Sequence, residues 1–286
     1  MKTIKNPVHD YLRPGKKFPH IWCPGCSHGI TSAAIIRAVH KLGLDRDKVV
    51  LISGIGCASR MPAYFDFCSL HTTHGRAIAF ATGVKAANPD LTVIVISGDG
   101  DGAAIGGNHF IHAARRNIDI NVVIFNNLIY GMTGGQYSPT TPAGAYASTA
   151  PYGNYEPQFD LCALARGAGA TFIARSAPTN SALLESHIAK AITHKGFSLV
   201  EVLSICPSVY SFYNKAGNGP KMFKDLRNSI IPVERAKALR EKGEKVDKIE
   251  IGILHSEEKP EFVETYFSRA GKEKPPFSLH LSTLEL

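Results

Sequence analysis

The chain has 286 residues, 44% of them hydrophobic and 20% charged, with a formal net charge of +8. This is enough apolar material for one large globular domain or two small ones, and no run of about 18 apolar residues is present to span a bilayer. Lysines and arginines are scattered and no nucleic-acid reader motif occurs, which excludes a DNA- or RNA-binding reading and leaves a solvated basic surface or an acidic partner.

The elements follow in chain order. MKTIKNPVHDYLRPGKK lacks the apolar stretch of a secretory signal. Six cysteines in no compact framework fit a reducing, cytoplasmic setting. WCPGCSHG, residues 22–29, sets Cys23 and Cys26 at metal-ligand spacing and runs into a helical stretch, ITSAAIIRAVHKLG. VVLIS (49–53) is short, apolar and β-branched, as a buried parallel strand is. A glycine-rich turn follows it, GIGCASR, with Cys57 and Arg60. FDFCSL reads as an aromatic-rich loop in which Cys68 packs. HTTHGR puts His74 beside a glycine turn before the helix RAIAFATGVKAAN.

The strand LTVIVIS (91–97) leads into SGDGDGAAIGGNH and the helix GGNHFIHAARRN, where His109 and His112 lie on a packed or solvated face. INVVIF (120–125) leads into NNLIYG. From about 130 to 160 the composition turns to Gly, Pro, Ser, Thr and Tyr, the mark of a lid or binding loop, or else of a disordered one. The helix QFDLCALARGAG carries Cys162 at a core position. The strand TFIA, the helix NSALLESHIAKAITHK and the strand SLVEVLS (198–204) lead to Cys206 in SICPSVY. Regularity weakens after 207, to a charged helix, a short strand and a polar end. Such alternation predicts an α/β fold, a doubly wound and mostly parallel sheet. Residues 1–210 form its domain, and 211–286 an extension packing on that domain or on a partner subunit.

The turn after strand 91–97 is not a dinucleotide fingerprint, because no G-x-G-x-x-G is completed from Gly98, Gly100 or Gly102. Carboxylates there would repel a bare pyrophosphate, whereas a magnesium ion between them takes carboxylate and phosphate oxygens together. Asp99, or Asp101 in its place, lies one helix and one strand before Asn127. An Asn side-chain oxygen and a nearby carbonyl can complete the shell. For the cysteines, four thiolates suit zinc or an iron–sulfur cluster. Cys57 and Cys206 stand at strand ends, where the same crevice is expected.

GDGDG followed by NNLIYGMTGGQ resembles the thiamine diphosphate motif. With WCPGCSHGI, GIGCASR, HTTHGRA and SICP, residues 15–210 resemble the β subunit of 2-oxoacid:ferredoxin oxidoreductases. The resemblance implies that Asp99, the Asn127 side chain and the Ile129 carbonyl hold magnesium. It implies that Ile55, Gly56, Cys57, Ala58, Gly100, Asp101, Gly131 and Met132 line the thiamine diphosphate. Cys23, Cys26, Cys57 and Cys206 would ligate one 4Fe–4S cluster. His74 would bond phosphate or pyrimidine, and Arg60 a substrate carboxylate, with 2-oxoglutarate favoured over pyruvate or a branched 2-oxo acid.

The activity implied is thiamine-dependent oxidative decarboxylation of a 2-oxo acid to its coenzyme A ester. Electrons would pass singly through the cluster to ferredoxin. Thiamine enzymes of this kind need a second domain for the pyrimidine, so an α subunit is the expected partner. Two rivals each leave one motif unused. A non-oxidative thiamine decarboxylase has no use for four ligating cysteines, and a zinc-stabilised binding module none for Asp99 and Asn127.

Overall fold

The structure is a computed structural model and describes residues 6–271. Its centre is an eight-stranded sheet of order β2-β1-β3-β4-β6-β5-β8-β7. The strands are β1 Val49–Ser53, β2 Cys68–His71, β3 Thr92–Gly98, β4 Asn121–Asn126, β5 Phe172–Ser176, β6 Ser198–Leu203, β7 Ile230–Pro232 and β8 Ile249–Ser256. The first six run parallel, and β8 joins β5 antiparallel. Residues beyond 210 therefore extend the same sheet.

Helices cover both faces, which is why β1, β3, β4 and β6 are apolar without alternation. Val49 and Leu51 face α1 (His28–Lys41) and α5 (Ser181–Thr193), while Val50 and Ile52 face α2 (Ala77–Ala87), α3 (Gly107–Arg116) and α4 (Leu161–Ala168). The extension adds α6 (Val209–Asn214), α7 (Gly219–Ser229), α8 (Val233–Glu241) and α9 (Phe262–Arg269). The loop expected around Cys68 is instead the edge strand β2, whose four residues are all exposed, so Cys68 does not pack in the core. Among the described residues, no helix is long and apolar enough to cross a membrane.

Between α3 and β4, Asp119 is buried with Lys85 Nζ at 2.7 Å and Lys195 Nζ at 3.3 Å. Burial alone would raise its pKa, but the two lysines and the Gly196 N–H outweigh it and hold the carboxyl below its ordinary value. A depressed folded-state pKa gives stability that is present above the unfolded pKa and lost as pH falls through the folded one. Lys85→Met leaves Asp119, among the described residues, only the exposed Lys195 as a cationic partner and should cost about 3 kcal/mol at neutral pH. Denaturant titrations should show that cost shrinking as pH falls through the depressed folded-state pKa, where the carboxyl becomes protonated in both states. A cost that stays constant across that range would contradict this account of the pair.

Candidate active site

The chain leaves β1 for β2 on one side and returns to β3 on the other, so the sheet has a switch point between β1 and β3. Crevices outside the carboxyl ends of strands at such a point bind ligands. The turns after β1, β3 and β4 meet there around a cavity. Ile55, Gly56, Cys57, Ala58, Gly100, Asp101, Gly131 and Met132 all line it, together with His74, Asp99, Asn127 and Ile129.

Asp99 is buried, and its Oδ2 accepts the hydroxyls of Ser138 at 2.5 Å and Thr140 at 2.6 Å. Its other oxygen lies 3.1 Å from the Asn127 side-chain oxygen, which is 2.7 Å from the Ile129 carbonyl. Three acceptors this close repel one another, and two arrangements relieve them. The amide can turn over and donate to both neighbours, or a hard cation can sit among the oxygens. Burial raises the Asp99 pKa against the hydrogen bonds it accepts, and a cation among these oxygens would favour its charged form. The donor set thus fits magnesium.

Local backbone geometry aims these groups. Leu128 has φ 67°, a left-handed conformation rare for a residue with a side chain. Its N–H donates to Asn126 Oδ1 at 3.3 Å, and its carbonyl accepts from Thr141 at 2.6 Å. The resulting turn folds the Ile129 carbonyl back towards Asn127. Ser138, Thr140 and Thr141 come from the 130–160 segment and are buried. That segment is a folded strap reaching the Asp99 pocket.

Asp101 is otherwise engaged. Its Oδ1 accepts from Gly75 N–H at 2.7 Å and Ile55 N–H at 3.2 Å, and its Oδ2 from Ser97 at 2.6 Å. His74 Nδ1 lies 2.5 Å from Oδ1, outside hydrogen-bond angles. With both oxygens taken by protein, Asp101 ties the turns after β1 and β2 to the turn after β3. Asp99 is the carboxylate left to face a metal. Gly100 must lack a side chain because the Tyr130 ring covers it, with the Tyr130 hydroxyl donating to the Gly100 carbonyl at 2.9 Å.

A second cavity, of about 180 Å³, opens beside the first and is lined by Cys23, Cys26, Cys57 and Cys206. None of the four is in a disulfide. Trp22 Nε1–H donates to the Cys57 carbonyl at 2.7 Å, and Ile205 N–H donates to Ser27 at 3.1 Å. These bonds pin the Cys23–Cys26 loop to the ends of β1 and β6. Gly25 also packs against Gly219 at the start of α7.

Burial pushes the Cys26 thiol up to about 12, against the backbone N–H of His28 and with the help of Cys206, Cys57 and Cys23. Burial likewise raises Cys57 to about 11, with Cys206 and Cys23 adding to it. The four thiols therefore lie within electrostatic reach of one another. Their spacing separates two metals. Zinc–thiolate bonds of about 2.3 Å would put tetrahedral sulfurs ~3.8 Å apart. Among the described residues, the one set of three or more candidate ligand atoms within 4.8 Å of one another is Asp160, Cys162 and Glu201. The four sulfurs are thus spread more widely than one zinc would hold them, and the chemistry of the set suits a larger iron–sulfur core.

The compact set itself is no metal site. Arg175 already occupies it, with Nε on Glu201 at 2.6 Å and Nη2 on Asp160 at 2.5 Å. Cys162 is buried there and bonds Glu201 at 3.2 Å.

The two cavities share walls. His28, Cys57, Asn127, Gly131 and Met132 line both. A Cβ on Gly131 would lie 3.7 Å from each Sγ of Cys57 and Cys206, and 3.9 Å from Asn127 Nδ2. Arg60 lines the thiol cavity rather than the first one, and among the described residues its guanidinium has no hydrogen-bond or ion-pair partner.

Sequence reasoning missed His28, which is buried in the shared wall, and the hydroxyls of Ser138 and Thr140. The hydroxyls had a faint signal in YSPTTP, a polar run between prolines. His28 had only its place beside Cys26.

Residues 44–202 match the family described as "Thiamine pyrophosphate enzyme, C-terminal TPP binding domain". The 2-oxoglutarate synthase subunit KorB of Methanocaldococcus jannaschii is 49% identical over 259 residues, covering 91% of this chain and 95% of that protein. The 2-oxoacid:ferredoxin oxidoreductase subunit beta of Saccharolobus solfataricus is 39% identical over 269 residues, covering 90% of this chain and 87% of that one. A solved chain of the Magnetococcus marinus 2-oxoglutarate:ferredoxin oxidoreductase, determined with 2-oxoglutarate, coenzyme A and succinyl-CoA bound, superimposes with a TM-score of 0.81 at 35% identity. It covers 96% of this chain and 93% of that one.

Proposed function

The chain belongs to the family of 2-oxoacid:ferredoxin oxidoreductase β subunits, and from that premise we propose that it seats thiamine diphosphate, magnesium and a 4Fe–4S cluster side by side for the oxidation of 2-oxoglutarate. It is a subunit of an enzyme that works with an α subunit. The observation that carries the reading is the common wall at Gly131, between the Asn127 amide and the thiols of Cys57 and Cys206. A thiamine decarboxylase that passes no electrons needs only one of these cavities.

When bound, the thiazolium supplies the electron sink for decarboxylation, and the cluster supplies one-electron capacity. The chain's residues hold and orient. Asp99, the Asn127 amide oxygen and the Ile129 carbonyl would take magnesium, with Ser138 and Thr140 fixing the far carboxylate oxygen. Glycines at 56, 100 and 131 keep the backbone close to the cofactor. Asp101 sets the position of the His74 ring, proposed to meet the phosphate or the pyrimidine. Cys23, Cys26, Cys57 and Cys206 would ligate the cluster. Coenzyme A is the acyl acceptor, ferredoxin the electron acceptor suited to the basic surface, and the α subunit the source of the pyrimidine-binding domain.

The unpaired Arg60 guanidinium in the thiol cavity, one wall away from the cofactor cavity, suits the second carboxylate of a dicarboxylic substrate. Arg60→Ala should raise KM for 2-oxoglutarate about 10- to 100-fold, a charge-assisted pair of about 1.5–3 kcal/mol, and leave pyruvate turnover nearly unchanged. Equal effects on both acids would refute the assignment. The functional reading itself is tested by mixing the assembled αβ enzyme with 2-oxoglutarate and coenzyme A. The visible iron–sulfur band should bleach and recover on adding oxidised ferredoxin. A protein with no such band, or one that does not bleach, overturns it.

A further inference from the structure

His28 touches both cavities. Its Nδ1 is 3.2 Å from Cys26 Sγ, and its ring is buried between Trp22, at 6.0 Å between centroids, and the edge-on Phe125 at 5.1 Å. This packing holds the plane of the imidazole. We propose that His28 is a positioning residue that sets the cluster's reduction potential through an Nδ1–H···Sγ bond to Cys26. The inference rests on the cluster reading above and adds a role for a residue outside the ligand set.

The direction of the bond follows from the iron. A ligating sulfur carries no proton, so the contact persists only with the hydrogen on Nδ1. A side chain that donates to a metal ligand in this way has its tautomer fixed and tunes the metal centre. Reduction adds negative charge that spreads onto the sulfurs, so the donor stabilises the reduced cluster more than the oxidised one and raises its potential.

The test is an EPR-monitored redox titration of the assembled enzyme carrying His28→Phe or His28→Asn. The phenylalanine keeps the ring and removes the donor, so the cluster's midpoint should move to more negative potential. The asparagine returns an N–H near the Nδ1 position and should recover much of the shift. A second measurement needs no variant: pulsed EPR of the reduced wild-type cluster, with and without histidine labelled with ¹⁵N in the imidazole ring alone, should show a ring nitrogen coupled to the electron spin, apart from the His28 backbone nitrogen that also meets Cys26. A phenylalanine variant with an unshifted midpoint overturns the proposal. If that variant fails to hold its cluster, the absence of ring-nitrogen coupling in the wild type overturns it instead. A wild-type enzyme with no cluster signal refutes the cluster reading, a distinguishable outcome.

Discussion

Cys23→Ala should reduce ferredoxin reduction by the assembled enzyme by more than about a hundredfold, because even outer partners of metal ligands are worth 10- to 100-fold. Cys23 is the informative choice among the four. It is exposed, so truncation disturbs little packing, and it lines the thiol cavity without lining the cofactor cavity. Iron content should fall with the activity while thiamine diphosphate affinity stays within a few-fold of wild type. Retained iron and retained turnover would remove Cys23 from the ligand set. Loss of thiamine binding as well would mean that Cys23 supports the cofactor cavity, which it does not line.

The second large effect is expected at Asp99. Asp99→Asn keeps the shape of the side chain and its neighbours Ser138 and Thr140, but removes the charge that a cation needs. Magnesium-dependent binding of thiamine diphosphate should weaken by at least about a hundredfold. Without cofactor, the variant should be no less stable than wild type. Burial already disfavours the Asp99 anion, and an uncompensated buried charge is a cost to folding. Isothermal titration and thermal melts check the two halves. A strongly destabilised variant, or one that binds cofactor normally, contradicts the assignment. Asp101, whose oxygens hold Ile55, Gly75 and Ser97, should behave in the opposite way, with loss of stability leading.

The residues alone left the roles of these two carboxylates, two positions apart, open, and only the family resemblance pointed to Asp99 as the metal-facing one. GDGDG signals a metal-bearing turn, yet which aspartate faces outward depends on the π-helical turn at Gly100–Ile105 and on amides arriving from Ile55 and Gly75. The strands β1, β3, β4 and β6 were legible for a plain reason. Burial on both faces demands apolar runs, interrupted in mid-strand only by Glu201 of β6, which Arg175 pairs, and their ends place the motifs. β2 was not, since its residues are exposed and nothing in CSLH demands burial. The strap from 130 to 160 has the composition of a loop, and its order comes from tertiary bonds such as Asn154 to the Thr141 carbonyl at 2.8 Å and Gln158 to the Thr140 carbonyl at 2.6 Å. Cys206 was legible by its place after a strand, as was Cys57. His28 was not, because its meaning lies in two walls that the sheet brings together.

Anomalous diffraction from crystals of the assembled enzyme, grown with manganese in place of magnesium, tests the neighbouring metal sites directly. Manganese accepts the same oxygen ligands, and each element answers at its own absorption edge. Iron should appear among the sulfurs of Cys23, Cys26, Cys57 and Cys206, and manganese among Asp99, Asn127 and Ile129, with Gly131 between them. Zinc at the thiols, or manganese away from those three oxygens, would contradict it.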